Sequence, residues 1–256
     1  MSPSNTDPAQ RKFDGLISTG TFETPDGLVR VGRANYPIAA VLEALGGVLT
    51  DRRKERIEAA IRGRTLDVAT VVEGIANIGN VGAVMRTAEA FGFQRFHVVT
   101  DGAAYKDSAR TTQGAHKWLD VTTWDTARAC AGHLKAAGYR LFVTSLAPAA
   151  RDIDAADFSI PSALVFGNEV QGVSDEMASL ADEVIAVRTP GLVESFNISV
   201  AAAVCLYHVY RFRAQHRVVD SMTDEQRAVL RALYYVRSVR DPEALVRSKV
   251  ARGVGQ

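Results

Sequence analysis

The chain of 256 residues is predicted to form an α/β protein, with a mostly parallel sheet flanked by helices. Two observations predict this class. Apolar residues make up 47% and charged residues 23% of the chain, as in ordinary globular proteins. After Leu66, short apolar runs alternate with helical patterns, which is typical of parallel strands joined by helices. Ligands bind such doubly wound sheets outside the carboxyl ends of the strands, so functional residues are expected in the strand-to-helix loops.

The individual elements follow from the same patterns. The candidate strands are Val68–Glu73, Phe96–Thr100, Tyr139–Leu146, Ser162–Asn168 and Glu183–Thr189. The candidate helices are Val81–Phe91, Thr126–Ala137, Ser174–Ala181 and one that begins after Asn197. Upstream, the stretch from Ile38 to Gly63 is helical in pattern, with Ile57, Ala60 and Ile61 on one face and the basic residues mostly around the other.

These patterns divide the chain into four regions. Residues 1–36 are rich in Ser, Thr, Pro, Asp and Gly and are expected to form a poorly ordered appendage. A basic helical extension over 37–66 precedes the α/β core over 67–216, and a second basic helical extension covers 217–256. Clustered positive charge is what a protein that binds a polyanion needs, although a solvated helical face is the ordinary explanation of each cluster.

The composition excludes several classes of protein. The formal net charge is +1, so any electrostatic attraction for nucleic acid must be local. Cys130 and Cys205 are the two cysteines and have no CxxC spacing, which gives no sign of a disulfide framework or a thiolate metal cluster. The N-terminus lacks the apolar core of a signal peptide and no run of eighteen apolar residues occurs. We expect a soluble, cytoplasmic protein without a metal or a membrane partner.

The first polar loop lies between Glu73 and Gly92 and reads EGIANIGNVGAVMRTAEAFG. Its glycines do not follow the order G-x-G-x-x-G, so a site for NAD has little support. Asn80 is predicted to cap the next helix, which carries Arg86 beside an apolar stripe. The alternative is a capped helix with a structural salt bridge.

The second polar loop, LVFGNEVQGVSDE, resembles a phosphate-binding loop, but Val173 stands where such a loop needs Lys, which argues against an NTPase. Ser174 is a predicted N-cap, with Asp175 and Glu176 in the first turn. Capping does not explain Glu169, which follows the preceding strand.

The third polar loop, which contains Ser195 and Asn197, precedes a segment without charge from Ile198 to Tyr210. That segment predicts a helix buried on nearly all sides, as in a central element or a subunit interface. A helix cap needs only one of the two polar residues. Three polar junctions of this kind in one sheet favour a functional site.

The three loops together resemble a known family. NVGAVMR, LVFGNEVQGVS and ESFNISVAAAV, in this order, are similar to the motifs of the SPOUT superfamily of RNA methyltransferases, in its SpoU or TrmH branch, which methylates ribose 2'-hydroxyls. The resemblance extends from about Val71 to Tyr210. TTQGAHKWLDV and RKERIEAAIRGRTLDVATVVEGI are similar to segments of tRNA guanosine ribose methyltransferases, which favours tRNA over ribosomal RNA.

The resemblance implies a SPOUT domain over 67–216 with a deep trefoil knot near its C-terminal end, one of the rare exceptions to unknotted topology. It also implies a homodimer that uses S-adenosyl-L-methionine and acts on RNA rather than DNA. The expected target is guanosine 18 in the D-loop of tRNA, and the alternative is 2'-O-methylation of 23S ribosomal RNA. A catalytically silent RNA-binding module and a nucleotide-binding oxidoreductase or NTPase are the other hypotheses.

The resemblance also implies site residues. The positions that match the family's catalytic motif residues are Asn80, Arg86, Glu169, Ser195 and Asn197. The positions expected at the cofactor are Leu146, Gly167, Asn168, Glu169, Thr189, Leu192 and Ile198. Thr189 and Phe196 depart from the aliphatic residues common there. A guanidinium is normally always protonated, so Arg86 is better suited to bind phosphate and orient the hydroxyl than to act as a base, although a role as base stays open.

Contacts with RNA are expected from basic residues outside the three loops. The candidates are Arg52, Arg53, Arg56, His116 and Lys117. For His116, a packed histidine beside Trp118 is an equally good interpretation.

Overall fold

The computed structural model describes residues 27–74, 77–100, 109–168, 171–192 and 195–253. Its strands are β1 (Leu28–Val31), β2 (Ala34–Pro37), β3 (Thr65–Glu73), β4 (Phe93–Val99), β5 (Asp120–Trp124), β6 (Arg140–Thr144), β7 (Arg151–Asp152), β8 (Ser162–Phe166) and β9 (Glu183–Ala186). Its helices are α1 (Ile38–Gly46), α2 (Asp51–Arg62), α3 (Ile78–Ala90), α4 (Ala109–Thr112), α5 (Ala127–Ala136), α6 (Asp175–Leu180), α7 (Ile198–Gln215), α8 (Asp224–Ser238) and α9 (Pro242–Gly253).

The chain divides into two compact units. Thr65–Ser221 is one, and the other combines the two ends of the chain, Met1–Arg64 and Met222–Gln256. No helix among the described residues is both long enough and apolar enough to span a membrane.

Thr65–Ser221 contains a seven-stranded sheet in the order β5-β4-β3-β8-β6-β9-β7, in which every adjacent pair is parallel. Its central strand β3 is buried on both faces. Val68 and Val72 join one apolar cluster with the inner sides of α3 and α7, whereas Ala69 and Val71 join a second with α5 and α6. The α/β class is therefore confirmed, and the carboxyl ends of the strands meet at one edge of the sheet.

All five predicted strands occur, but two further strands of this sheet, β5 and β7, were not predicted. β5 is an edge strand with two buried residues followed by more exposed ones, so it lacks an apolar run, and β7 has only two residues. The deep trefoil knot stays a prediction, since part of the last polar loop, residues 193–194, lies outside the described residues.

Two helix starts test the predicted caps. Ser174 caps α6 as expected, because its Oγ accepts a hydrogen bond from the backbone N–H of Met177 at 3.0 Å. The prediction for Asn80 is wrong. Asn77 is the N-cap of α3, with its Oδ1 accepting from the N–H of Gly79 at 2.8 Å, and Asn80 lies within the first turn. The helix starts earlier than its apolar stripe, so the stripe was a poor guide to the cap.

Among the described residues, the unit formed by the chain ends contains a hairpin and four helices. Residues 27–36, predicted as part of a poorly ordered appendage, instead contribute to the antiparallel pair β1–β2, with Val29 and Val31 buried. The helical stretch from Ile38 to Gly63 is interrupted at the Gly46–Gly47 pair, and Thr50 caps the next helix. Arg231 on α8 binds the carboxylate of Glu58 on α2 with both Nε and Nη2. The unit is thus held together by contacts between elements far apart in sequence.

Candidate functional site

A cavity of about 550 Å³ lies at the carboxyl edge of the sheet. Its lining residues follow β6, β8 and β9 or belong to the start of α7. Among the residues predicted at the cofactor, the cavity is lined by Leu146, Gly167, Asn168 and Ile198. This volume falls within the range of about 300–1,000 Å³ that is usual for small-molecule sites. The structure therefore places a small-molecule cavity where parallel sheets generally bind ligands.

The loop between β8 and α6 forms one wall of this cavity through its described residues, 167–168 and 171–173, and we call these residues the β8–α6 loop. Asn168 and Gly172 exchange two backbone hydrogen bonds of 3.0 Å, and the Oδ1 of Asn168 accepts from the N–H of Gln171 at 2.7 Å. The fold-back is so close that a Cβ on Gly167 would lie 2.0 Å from the carbonyl carbon of Gly172. Backbone atoms consequently form much of this wall, and Gly167 cannot be replaced without moving it.

Glu73 joins this loop to the central strand and was not among the predicted site residues. Its side chain is 3% exposed at the end of β3. The two carboxylate oxygens accept hydrogen bonds from Ser174, at 2.9 Å from the backbone N and at 2.6 Å from Oγ. The sequence did contain a sign of this role, an acidic residue at the end of an apolar strand. Burial of a carboxylate is costly unless it is hydrogen-bonded, so such a residue is expected to have donors close to it.

The third polar loop places its two predicted residues differently. Ser195 lines the cavity and is exposed. Asn197 is the N-cap of α7, where its Oδ1 accepts from the N–H and the Oγ of Ser199 at 2.9 and 2.6 Å. Behind them, Cys205 contributes to the apolar side of the cavity, and burial raises the pKa of its thiol to about 12. The thiol therefore stays protonated and acts as part of the wall.

Arg86 lies on α3 with an exposed side chain and lines a different cavity, of about 680 Å³. Glu89, Gln113 and Trp118 contribute polar and aromatic groups to this second cavity, and Ala203 of α7 closes one side. The two cavities share no lining residue. Arg86 and Ser195, predicted to act together, are thus divided between two cavities of the single chain.

Three further predicted site residues line neither cavity. Asn80 is in the first turn of α3 and lines neither cavity. Thr189 and Leu192 are exposed and are not among the residues that line the cavity at the sheet edge, where they were predicted to bind the cofactor. Glu169 lies outside the described residues.

The predicted RNA contacts differ in exposure. Arg52 and Arg56 are exposed on α2, and Lys117 is exposed after α4, whereas the guanidinium of Arg53 donates to the Oγ of Ser238 at 3.1 Å. His116 is 4% exposed and its Nδ1 shares a hydrogen bond with Thr112 Oγ1. The packed-histidine interpretation therefore describes its position.

The chain is similar in sequence to known proteins. The family described as SpoU rRNA Methylase matches residues 67–207. The tRNA (guanosine(18)-2'-O)-methyltransferase of Thermus thermophilus is 34% identical over 171 residues, which cover 67% of this chain and 88% of the relative. The enzyme of the same description from Escherichia coli K12 is 33% identical over 161 residues, 63% of this chain and 70% of the relative.

A solved structure, described as the TrmH/SpoU tRNA modifying enzyme of Aquifex aeolicus, aligns with a TM-score of 0.68 at 27% identity, and the match covers 74% of this chain and 98% of that one. The fold, the order of the three motifs and the family match all indicate the same family. The chain belongs to the SpoU family and is an S-adenosyl-L-methionine-dependent RNA 2'-O-ribose methyltransferase.

Proposed function

We propose that the chain methylates the 2'-hydroxyl of guanosine 18 in the D-loop of tRNA. The observation that carries the proposal is the 34% identity with a Thermus thermophilus enzyme described by this activity, over 88% of that enzyme's length. The Aquifex aeolicus structure, described as a tRNA modifying enzyme, supports the choice of tRNA. Ribosomal RNA is the second candidate, because the matched family is described as an rRNA methylase family.

The cofactor cavity of this proposal is the one of about 550 Å³ at the carboxyl edge of the sheet. Its size and its mixed walls suit a nucleoside-containing ligand: backbone groups of the β8–α6 loop can hydrogen-bond the polar parts, while Ile198 and Cys205 offer apolar surface. Leu146, Gly167 and Asn168 would hold the cofactor from the ends of β6 and β8. The bound cofactor supplies an electrophilic methyl group.

Arg86 is the residue proposed to handle the RNA. Its guanidinium is exposed in the second cavity and can bind the target phosphate while it orients the ribose hydroxyl. Positioning alone contributes strongly to a displacement that needs the hydroxyl in line with the methyl group. Asn197 acts by ordering the start of α7, next to Ser195 at the cavity.

We further propose a homodimer through the outer face of α7. Val200, Val204 and Tyr207 are 46%, 38% and 51% exposed, and the rings of Tyr207 and Tyr210 lie 5.9 and 5.4 Å from that of Phe91. An exposed apolar face of this kind is typical of a protein–protein interface. A two-fold dimer is also the simplest way for Arg86, which lines the second cavity, to meet the cofactor cavity.

RNA attraction is proposed to come from the exposed basic residues of α2, Arg52 and Arg56, together with Lys117. Phosphate contacts of this type give affinity that falls with salt. Replacing one such residue is expected to weaken binding to all RNAs about equally and to reduce the salt slope by about one.

The test of the function is a methylation assay with S-adenosyl-L-methionine and two tRNA transcripts that differ only at position 18, one with guanosine and one with 2'-deoxyguanosine. We expect 2'-O-methylguanosine at position 18 of the first, mapped by mass spectrometry, and no product from the second. Methylation that persists on the deoxy transcript, or that occurs only on ribosomal RNA assayed in parallel, would overturn the choice of nucleotide.

Arg86→Ala is expected to lower the methylation rate by about a hundredfold or more, because the hydroxyl is no longer oriented. The matched control is Arg128→Ala, which removes another exposed arginine, bound to Glu176. Equal rates in the two variants would exclude a special role for Arg86.

A further inference from the structure

We infer that Glu73 is a positioning residue for cofactor binding, because its carboxylate holds the β8–α6 loop in the shape that forms the cavity wall. The inference rests on the proposed place of the cofactor in the 550 Å³ cavity. Neither Glu73 nor Ser174 is among the lining residues, so the effect of the pair on the ligand must pass through the loop.

Both ends of the β8–α6 loop are attached to the end of β3. On the side where the loop begins, Phe166 of β8 pairs with Val72 of β3. On the side where it ends, the backbone N–H and the hydroxyl of Ser174 donate to the carboxylate of Glu73. Two successive strand residues therefore fix the start and the end of the same wall.

The beginning of the loop also packs against this strand end. Gly74 has a φ of +69°, and a Cβ at this position would lie 2.8 Å from the Nδ2 of Asn168. The side chain of Asn168 thus packs directly over the backbone that follows Glu73. Because Asn168 exchanges backbone hydrogen bonds with Gly172, a displacement of Glu73 would be passed to both.

The chemistry of the contact favours a carboxylate. Ser174 Oγ accepts from the N–H of Met177 at 3.0 Å, so its own proton is available to Glu73. An ionised carboxylate accepts from both Ser174 donors, and hydrogen bonds to a charged acceptor are the stronger kind. An amide in its place accepts only through one oxygen, so either the backbone N–H or the hydroxyl of Ser174 loses its acceptor. We therefore expect Gln at position 73 to be better than Ala but worse than Glu.

The chain contains a matched control at the opposite end of β3. Asp67, 6% exposed, accepts from the backbone N of Ser221 at 3.1 Å and from Ser221 Oγ. This pair repeats the chemistry of Glu73 and Ser174, but Ser221 follows α7 and is not part of the β8–α6 loop or adjacent to it. Ser174→Ala and Ser221→Ala each remove a hydroxyl that donates to a buried carboxylate. Only Ser174→Ala is expected to loosen the cavity wall.

The experiment measures the dissociation constant of S-adenosyl-L-methionine for the full chain by isothermal titration calorimetry, without RNA. Loss of a hydrogen bond to a charged group is worth about tenfold in affinity, so Glu73→Ala and Ser174→Ala are expected to raise the constant by about tenfold. Glu73→Gln should lie between wild type and Glu73→Ala. Ser221→Ala should stay within about twofold of wild type, since it is remote from the wall.

Steady-state kinetics separate positioning from a loss of folded protein. A rise in the KM for the cofactor, with kcat at saturating cofactor kept within about threefold, supports the inference because the binding that is lost is common to the ground state and the transition state. A fall in kcat with an unchanged dissociation constant would show a merely structural role and overturn it. If Glu73→Ala does not fold, Ser174→Ala is compared with Ser174→Thr, which keeps the hydroxyl and should retain cofactor affinity.

A cavity-filling variant distinguishes this inference from the proposed cofactor site. Ala201 lines the cavity, so Ala201→Phe should abolish binding if the cofactor occupies it. Unchanged binding in Ala201→Phe would remove the proposed cofactor site. Weakened binding in Ala201→Phe, combined with wild-type affinity in folded Glu73→Ala and Ser174→Ala, would overturn only the role of Glu73.

Discussion

The two ends of β3 carry the same motif in different surroundings. At the amino end, Asp67 binds Ser221 and also the guanidinium of Arg213, at 2.8 Å from Nη2, while Arg213 Nη1 donates to the carbonyl of Phe158 at 3.0 Å. At the carboxyl end, the bonds that orient Glu73 come from Ser174. Removal of one partner of a buried ion pair lowers the free energy of unfolding strongly, whereas removal of a neutral donor lowers it less. The comparison suggests that the amino end secures the fold and the carboxyl end shapes the cavity.

The largest expected effect tests the amino end. Asp67→Asn removes the carboxylate and leaves Arg213, which is 8% exposed, as a buried cation without its anion. We expect a loss of about 3–5 kcal/mol in the free energy of unfolding, measured by urea denaturation. The cofactor affinity of the folded fraction should stay close to wild type. A large loss of affinity would show that the amino end also shapes the cavity.

An intermediate effect concerns acid stability. His97 of β4 pairs in register with Val71 of β3, and its Nδ1 accepts from Trp124 Nε1 at 3.0 Å. Burial, with His133 and Arg95 nearby, lowers the pKa of His97 from 6.5 to about 3. The unfolded chain therefore binds a proton that the folded chain does not, and stability falls as the pH drops from about 6.5 towards 3.

Between pH 7.5 and pH 5, this histidine should lower the free energy of unfolding by about 2 kcal/mol. Urea denaturation at the two pH values checks the prediction, with His97→Gln as the comparison, since Gln can still accept from Trp124. The difference between the two proteins isolates His97 from the carboxylates at the ends of β3. An equal loss in wild type and variant would assign the acid sensitivity to other groups.

The smallest stability effect is also the sharpest comparison. Ser174→Ala and Ser221→Ala should each lower the free energy of unfolding by about 1–2 kcal/mol, because each leaves a buried carboxylate with one donor fewer. Ser174→Ala also removes the cap of α6, so its loss should be the larger by about 1 kcal/mol. Thermal or urea unfolding measures both. A greater loss for Ser221→Ala would contradict the equivalence of the two serine contacts.

The fold class was predictable because β3 and its neighbouring strands are buried, so their sequences are short apolar runs, and helical patterns separate these runs. β5 escaped because an edge strand needs few apolar residues. Asn77 and Asn80 could not be ranked as caps, since both precede the stripe and the choice depends on which backbone N–H groups each oxygen can reach. The contact between Glu73 and Ser174 could not be predicted from the sequence. A single buried acidic residue does not change the apolar pattern of a strand, and capping of α6 already explained why Ser stands at position 174.

The candidate site was predictable to a different degree in each loop. Leu146, Gly167, Asn168 and Ile198 line the expected cavity because the carboxyl ends of parallel strands converge there. Thr189 and Leu192 follow β9, but both are exposed and neither lines the cavity. One face of α7 is exposed in the single chain, so of the two predicted reasons for its charge-free stretch, a central element is wrong and a subunit interface stays a prediction.

The attachment of the β8–α6 loop to β3 joins residues 101 positions apart in sequence. Contacts of such separation form late, because the closure entropy of the intervening chain must be overcome before they contribute. During refolding from urea, helical circular dichroism should consequently recover before the protein regains the ability to bind S-adenosyl-L-methionine. Ligand binding in this chain then reports a late step of its assembly, and a nascent or partly folded molecule would hold no methyl donor.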